Sequence, residues 1–121
     1  MSQAIIDYHE LVERDGLFFE KSSDVPFTGK ISGREQGSFK NGKQVGKWSA
    51  YYNDGSLSAE GSFKNGKKEG EWVYYWSNGK LQEEGSYKNG KKEGKWGDYD
   101  SDGTLISDYS GTYKNGKKVS D

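Results

Sequence analysis

One sequence unit recurs along most of this chain and limits the folds available to it. GSFKNGKQVGKWSAYY begins at Gly37, GSFKNGKKEGEWVYYW at Gly61 and GSYKNGKKEGKWGDYD at Gly85, and a shorter copy, GTYKNGKKVSD, begins at Gly111. The steps between successive copies are 24, 24 and 26 residues. A period of this length indicates an array of supersecondary units, so we expect function on the surfaces of the array.

Asn-Gly pairs inside the units predict β-hairpins, because both central positions of a type I′ turn require a positive φ. Asp-Gly and Asn-Gly pairs recur about half a unit further on, so turns alternate between the two ends of short strands. The first set begins at Asn41, Asn65, Asn89 and Asn115, and the second set at Asp54, Asn78 and Asp102. The sequence therefore predicts an all-β fold, an elongated single-sheet antiparallel meander of β-hairpin repeats.

The domain organisation follows from where the units begin. Residues 34–121 contain the repeats, and residues 1–33 are expected to form an N-terminal cap with a leading half-repeat. Only 30% of the residues are hydrophobic, but 15% are aromatic, and aromatic rings bury a large area through few side chains. We therefore expect a folded but thin domain. The single proline, Pro26, lies outside the repeats, as central strands require.

Two-residue turns fix which side chains share a face, since cross-strand partners point the same way. Counting outward from the turns pairs Ala59 with Trp72, Trp72 with Gly85, and Trp76 with Leu81. The missing side chain of Gly85 is expected to leave room for the indole. The resulting aromatic face contains Trp48, Trp72, Trp76 and Trp96.

The opposite face receives tyrosines at the same stride, namely Tyr51, Tyr75 and Tyr99. They could form a ladder of exposed rings available to a partner. Alternatively, they only cover the back of a thin sheet, which is the usual role of aromatic ladders at strand spacing.

Lysines flank every Asn-Gly turn, and these turns share one long edge of a meander. This predicts a basic rim that includes Lys64, Lys67, Lys68, Lys88, Lys91 and Lys92. The other turns contain Asp54, Asp100 and Asp102, so the net charge of -1 would conceal a dipolar plate that steers anionic partners to one side. A solvated lysine edge that prevents sheet-to-sheet aggregation is the competing interpretation.

The third unit is two residues longer than its neighbours and contains an acidic loop. Asp98, Asp100 and Asp102, followed by Gly103, reproduce the D-x-D-x-D-G opening of a calcium-binding loop, in which hard oxygen ligands alternate along the chain. Tyr109 occupies the position where that loop has its bidentate glutamate. The sequence thus predicts either a calcium site or a lengthened hairpin turn in which the acids are ordinary turn formers.

These residues resemble a known family. The unit G-x-[FY]-K-N-G-K-x-x-G-x-W-x-x-Y, followed by [DN]-G-x-L, is similar to the bacterial variant of the MORN repeat found in proteins often labelled YwqK-like antitoxins. DGLFFEKSSDVPFTGKISG, from Asp15 to Gly33, resembles the leading half-unit of those proteins. The resemblance implies a binding or scaffolding module without a cofactor, and members have been linked to phospholipid contact and protein assembly.

Other function classes find little support in the sequence. His9 is the only histidine and lies outside the repeats, no glycine-rich loop leads into a helix, and no cysteine is present for a disulfide or a thiolate metal site. We therefore expect no enzyme. The N-terminus shows no basic-then-apolar leader, and no apolar run reaches the roughly 18 residues of a membrane span. The sequence leaves localisation open: cytoplasmic as given, or periplasmic or extracellular if a leader has been removed.

Three functions remain as hypotheses. The first is a protein-interaction scaffold or antitoxin-like inhibitor that uses the aromatic face or the basic rim. The second is a calcium-stabilised exported binding module, and the third is a binder of anionic lipid or another polyanion through the rim. Homodimers through the aromatic face or the open sheet edges are a further alternative.

Overall fold

The computed structural model of this protein describes residues 4–121. Ten strands form one sheet in the order β1, then β4 to β12, and β2 pairs only with β3. The strands are Ala4–Asp7 (β1), Leu11–Arg14 (β2), Leu17–Glu20 (β3), Gly29–Ser32 (β4), Glu35–Lys40 (β5), Lys43–Tyr51 (β6), Leu57–Lys64 (β7), Lys67–Tyr75 (β8), Leu81–Lys88 (β9), Lys91–Asp98 (β10), Gly111–Lys114 (β11) and Lys117–Ser120 (β12). The predicted all-β meander of hairpin repeats is confirmed.

The N-terminal segment departs from a simple meander. Strand β1 pairs with β4 in parallel, so one edge of the otherwise antiparallel sheet is not part of a hairpin. The β2–β3 hairpin lies against the first repeat, where Phe18 donates its N–H to the carbonyl of Gly42 and its ring lies 5.1 Å from that of Phe39. Phe39 is 1% exposed, and Leu11 and Phe27 are buried beside it.

The Asn-Gly pairs form the predicted tight turns. Asn65 has a φ of 51° and Gly66 a φ of 82°, and the pairs that begin at Asn41, Asn89 and Asn115 have the same two positive values within a few degrees. Strands β7 and β8 therefore meet with Lys64 directly opposite Lys67, and Phe63 opposite Lys68.

A bulge in each unit changes the register beyond the turn. Ser62 pairs with Glu69, whereas Glu60 pairs with Val73, so β8 has two more residues than β7 across Gly61. Gly70, which has a φ of 74°, lies in this bulge. The predicted pairing of Ala59 with Trp72 is wrong because Ala59 pairs with Tyr74. The offset of two is even, so Trp72 stays on its predicted face.

The register also shifts near the other set of turns, here by one residue. Leu81 pairs with Tyr75, and not with Trp76 as the sequence analysis expected. Trp76 follows the end of β8 and reaches sideways, where its indole N–H donates to the carbonyl of Tyr99 in the next unit at 3.0 Å. Tyr52, the equivalent residue of the preceding unit, donates its hydroxyl to the carbonyl of Tyr75.

A column of aromatic rings forms the core of the repeats. Trp72 lies 5.2 Å from Phe63 and 6.3 Å from Tyr87, both nearly edge-on. Trp72 is paired in register with Gly85, as predicted, but its indole covers Gly61 of its own unit. Each repeat tryptophan follows this arrangement: Trp48 covers Gly37 and Trp96 covers Gly85. Unlike Trp48, Trp72 and Trp96, the fourth tryptophan, Trp76, lies outside this buried column.

Candidate functional site

The Asn-Gly turns of successive units lie side by side along one edge of the sheet. The N–H of Gly66 donates to the carbonyl of Gln44 at 2.9 Å, that of Gly90 to Lys68 at 3.0 Å, and that of Gly116 to Lys92 at 2.9 Å. Each bond joins a turn to the second strand of the preceding hairpin. All the lysines that flank the turns are thereby collected at this edge.

The lysines at this edge face each other in like-charged pairs. Each of the four turns that begin at Asn41, Asn65, Asn89 and Asn115 is closed by two lysines that are direct cross-strand partners, and such partners repel one another. The pairs are Lys40 with Lys43, Lys64 with Lys67, Lys88 with Lys91, and Lys114 with Lys117. All eight side chains are exposed, and from here on they are called the basic rim.

Acidic side chains of the described residues form no ion pair with this rim, although a Glu69 carboxylate oxygen accepts the N–H of Asn89 at 3.2 Å. In the part of the chain that the structure describes, ion pairs join Arg14 to Asp24, Lys92 to Glu83, and Lys118 to Asp121. The rim therefore concentrates positive charge in a row. Packing still supports it, because the aliphatic stem of Lys43 lies over Gly66, and a Cβ built there would be 3.7 Å from that of Lys43.

Lys68, which the sequence analysis assigned to the rim, lies elsewhere. It is half-buried on the aromatic face, with its ammonium 4.9 Å from the Trp72 ring centroid and 5.2 Å from those of Tyr74 and Tyr87. It donates a hydrogen bond of 2.7 Å to the Tyr74 hydroxyl. Burial lowers the pKa of Lys68, and burial is also the main cause of the raised pKa of Tyr74.

Lys92 is likewise not a rim residue. Its ammonium lies 4.4 Å from the Trp96 ring centroid and 2.5 Å from a carboxylate oxygen of Glu83. The alternation of side chains along a strand could have shown this, since counting outward from the turn places Lys68 opposite Phe63. Where two adjacent lysines follow a turn, one points to the aromatic face and the other stays at the edge.

Glu83 is the polar residue that the sequence analysis missed. It lies between Lys92 and Asp98, its direct cross-strand partner, and is half-buried. Burial, together with the neighbouring Glu83, raises the pKa of Asp98 to about 6. One Asp98 carboxylate oxygen is buried and has no hydrogen-bond partner. The equivalent cross-strand partners are Tyr74 and Ala59 one unit earlier and Ala50 and Glu35 two units earlier, so this pair of carboxyl groups occurs only in the third unit.

The structure does not bring the three aspartates of the acidic loop together. Asp98 faces Glu83, whereas Asp100 and Asp102 each accept backbone N–H groups within their turn, including that of Thr104. Between residues 4 and 121, no three His, Asp or Glu side chains are grouped to hold a metal ion. Calcium binding by this loop stays a prediction from the sequence, and calorimetric titration with calcium tests it.

The predicted back-face tyrosines Tyr51, Tyr75 and Tyr99 are each half-buried. Tyr51 pairs with Leu57 and Tyr75 with Leu81, so each ring borders a leucine of its own hairpin. Tyr99 differs, because its ring covers Gly97 and lines a cleft on that side of the sheet. A partner-binding role for this ladder stays a prediction from the sequence.

His9 lies in a short 3-10 helix, Tyr8–Glu10, at the N-terminal end of the sheet. It is exposed, and a cavity of about 330 Å³ there is also lined by Asp7, Tyr8 and Glu35. Burial raises the pKa of Glu35, and the nearby His9 opposes this shift. Glu35 pairs with Ala50 at the end of the β5–β6 hairpin opposite to its rim pair, Lys40 and Lys43.

Comparisons with known sequences match the repeats directly. The model of the MORN repeat variant matches residues 44–65 and 68–89, and the model of the MORN repeat matches residues 84–95 and 109–119. No match was found among curated proteins. No helix in the described part of the chain has the length and apolarity needed to cross a membrane.

Proposed function

Because the chain is a MORN-repeat protein, built from a repeat that commonly serves as a non-catalytic module for protein or membrane binding, we propose that it binds the acidic surface of a partner protein through the basic rim. The observation that supports this is the set of four lysine pairs at the Asn-Gly turns. Like charges in direct cross-strand contact cost stability. A chain selected for stability alone would have placed an acid at one position of each pair.

The geometry of the rim suits an extended acidic surface. Successive pairs are two strands apart, roughly 9.6 Å, because neighbouring strands are spaced at about 4.8 Å. An unneutralised row of this kind raises the association rate of an anionic partner, and the effect is screened by salt. Binding at the rim leaves the buried Trp48, Trp72 and Trp96 of the aromatic face to stabilise the fold.

The test is a charge-matched pair of variants. In the first, Lys64, Lys67, Lys88 and Lys91 are replaced by Gln; in the control, four exposed lysines away from the rim, Lys21, Lys30, Lys47 and Lys80, are replaced in the same way. Immobilised polyglutamate serves as the acidic probe, and biolayer interferometry measures the association rate at several salt concentrations.

We expect the rim variant to lose at least about tenfold in association rate and to show a flatter salt dependence. The control should keep the wild-type salt dependence although its net charge is identical. Equal losses in both variants would mean that only the total charge matters and would refute the rim as a site. Circular dichroism verifies that both variants fold.

An anionic bilayer is the second candidate, favoured by the single edge of the sheet along which all four lysine pairs lie. Each lysine close to an anionic surface contributes about 1 kcal/mol, so four pairs would suffice for reversible attachment. Sedimentation with phosphatidylserine-containing vesicles, compared with phosphatidylcholine alone, tests it. The antitoxin-like role is a narrower form of the protein hypothesis, in which the acidic partner is a toxin. A pull-down with wild type and the rim variant would distinguish it.

A further inference from the structure

The third unit departs from the repeat in a way that builds a cleft. After β10, Tyr99 pairs with Leu105, as the equivalent tyrosine and leucine do in the two preceding hairpins. The departure follows in residues 106–110, which are held against the end of β10. The N–H of Ile106 donates to the Asp98 carbonyl at 2.7 Å, and the N–H of Asp98 donates to the Ser110 hydroxyl at 2.9 Å. The cleft beside this segment has a volume of about 890 Å³. The packing of the repeats does not depend on this departing segment, so the segment calls for a different role.

Tyr99 provides an aromatic wall of this cleft. Its ring covers Gly97, where a Cβ would lie 2.9 Å from the Tyr99 hydroxyl oxygen and 3.2 Å from two ring carbons. In the preceding units the position of Gly97 is occupied by Ser49 and Val73, so only this unit lets the tyrosine lie against the backbone. The outer side of the ring is therefore presented to the cleft.

Carboxylates surround the tyrosine. Glu84 is the direct cross-strand partner of Gly97, which places it roughly 5 Å from the strand position that the ring covers. Glu71 and Asp108 also line the cleft, and all three carboxylates are exposed. Lys118, a basic lining residue, is already engaged with the carbonyls of Ser107 and Asp108 and with the carboxylate of Asp121. Lys95 also lines the cleft and is exposed, so four acidic residues, Glu71, Glu84, Asp108 and Asp121, face two lysines. The cleft therefore has an excess of negative charge, opposite in sign to the rim.

An apolar side chain completes the wall. Leu105 lines the cleft and is 53% exposed, whereas its equivalents Leu57 and Leu81 are half-buried in their hairpins. A repeat leucine is thus uncovered only where the aromatic wall and the carboxylates meet.

We propose that this cleft binds a basic peptide segment through an arginine. The guanidinium stacks on Tyr99 and is hydrogen-bonded by Glu84 and Glu71, while a neighbouring apolar residue of the peptide packs on Leu105. Arginine fits better than lysine, because its planar guanidinium both stacks on an aromatic ring and pairs bidentately with a carboxylate. Charge complementarity, together with the stacking surface, selects this occupant over an acidic one.

The repeat supplies matched controls for the test. Glu84→Gln and Tyr99→Leu alter the cleft, and Glu60→Gln and Tyr75→Leu make the same changes at equivalent positions of the preceding unit, which do not line it. Fluorescence anisotropy measures the binding of a fluorescein-labelled short peptide of alternating arginine and leucine, and of its lysine counterpart. Circular dichroism confirms that each variant is folded.

We expect Glu84→Gln to weaken binding of the arginine peptide about tenfold or more, the usual worth of a charge-assisted hydrogen bond, and Tyr99→Leu about threefold or more. The two control variants should bind as wild type does, and the lysine peptide should bind more weakly. Equal effects of Glu60→Gln and Glu84→Gln, equal affinities for the two peptides, or no binding of the arginine peptide would each overturn the proposal.

Discussion

Replacing Gly61 by alanine tests the packing on which the repeats depend. A Cβ at this position would lie 2.5 Å from Cγ of Trp72 and closer still to two other ring carbons. Gly61 has no positive φ, so the added methyl group strains only the contact with the indole. Strand β7 is paired with β6 and β8 on its two sides, so the Trp72 indole is displaced and the backbone is not.

The expected loss can be worked out from the burial of Trp72, which is 5% exposed. Burying a tryptophan removes about 150–250 Å² from water, worth about 4–6 kcal/mol. Loss of half of that contact costs about 2–3 kcal/mol, and loss of the indole hydrogen bond to the Ser62 carbonyl costs about 1 kcal/mol. Alanine gains about 0.5–1 kcal/mol over glycine in a strand. The free energy of unfolding should therefore fall by about 3 kcal/mol.

A double-mutant cycle gives the decisive measurement. The free energy of unfolding is measured by urea denaturation, followed by far-UV circular dichroism, for Gly61→Ala in the wild type and in Trp72→Leu. Without the indole, the added methyl group should be neutral or stabilising, so the two substitutions should couple by about 3 kcal/mol. Gly85→Ala should couple in the same way to Trp96 and not to Trp72, although Trp72 is its partner in register.

Equal losses from Gly61→Ala in both backgrounds would refute this account of the packing. Coupling of Gly85 to Trp72 would show instead that each indole covers the glycine of the following unit. That was the arrangement expected from register alone.

Two further predictions concern charge. Burial and Glu83 raise the Asp98 pKa from 3.8 to about 6, so the stability linked to this group is present below its unfolded pKa and lost as pH rises through about 6. The melting temperature of the wild type should fall as the pH rises through about 6, and that of Asp98→Asn should not. The same fall in Asp98→Asn would mean that another group causes it. Lys64→Glu replaces the repulsive pair with Lys67 by an attractive one and should raise the free energy of unfolding by about 0.5 kcal/mol. Urea denaturation measures this gain, which the control Lys47→Glu should not show. A loss of stability in Lys64→Glu would mean that the pair with Lys67 is not repulsive.

The hairpins could be predicted because Asn-Gly pairs leave few alternatives. Two successive residues with positive φ are expensive for most side chains, and at these positions the chain has the two residues that tolerate them best. Four such pairs at a fixed stride determine the strand order. The parallel pairing of β1 with β4 was not predictable in this way, because it depends on no turn signal.

The bulges could not be read from the sequence, since its glycines serve different purposes. Gly61 makes room for an indole, and Gly70 takes a positive φ in a bulge, but both stand in strands between polar residues. Only the tertiary structure separates the two roles. The same limit applies to the acidic loop, where Asp98, Asp100 and Asp102 have the spacing of calcium ligands. In the structure Asp98 faces Glu83, whereas Asp100 and Asp102 accept N–H groups of their own turn.

The two extra residues of the third unit are absorbed entirely at one side of the sheet. They lengthen the segment after β10, while on the other side the N–H of Gly116 still donates to the carbonyl of Lys92 at 2.9 Å and the Gly116 Cβ position is still 3.7 Å from Lys91. Backbone hydrogen bonds between neighbouring turns therefore set a constant spacing of the lysine pairs. The insertion at the opposite edge of the sheet does not change this spacing. Duplication of one unit would add one more lysine pair at the same spacing, so the length of the basic rim is set by the number of repeats.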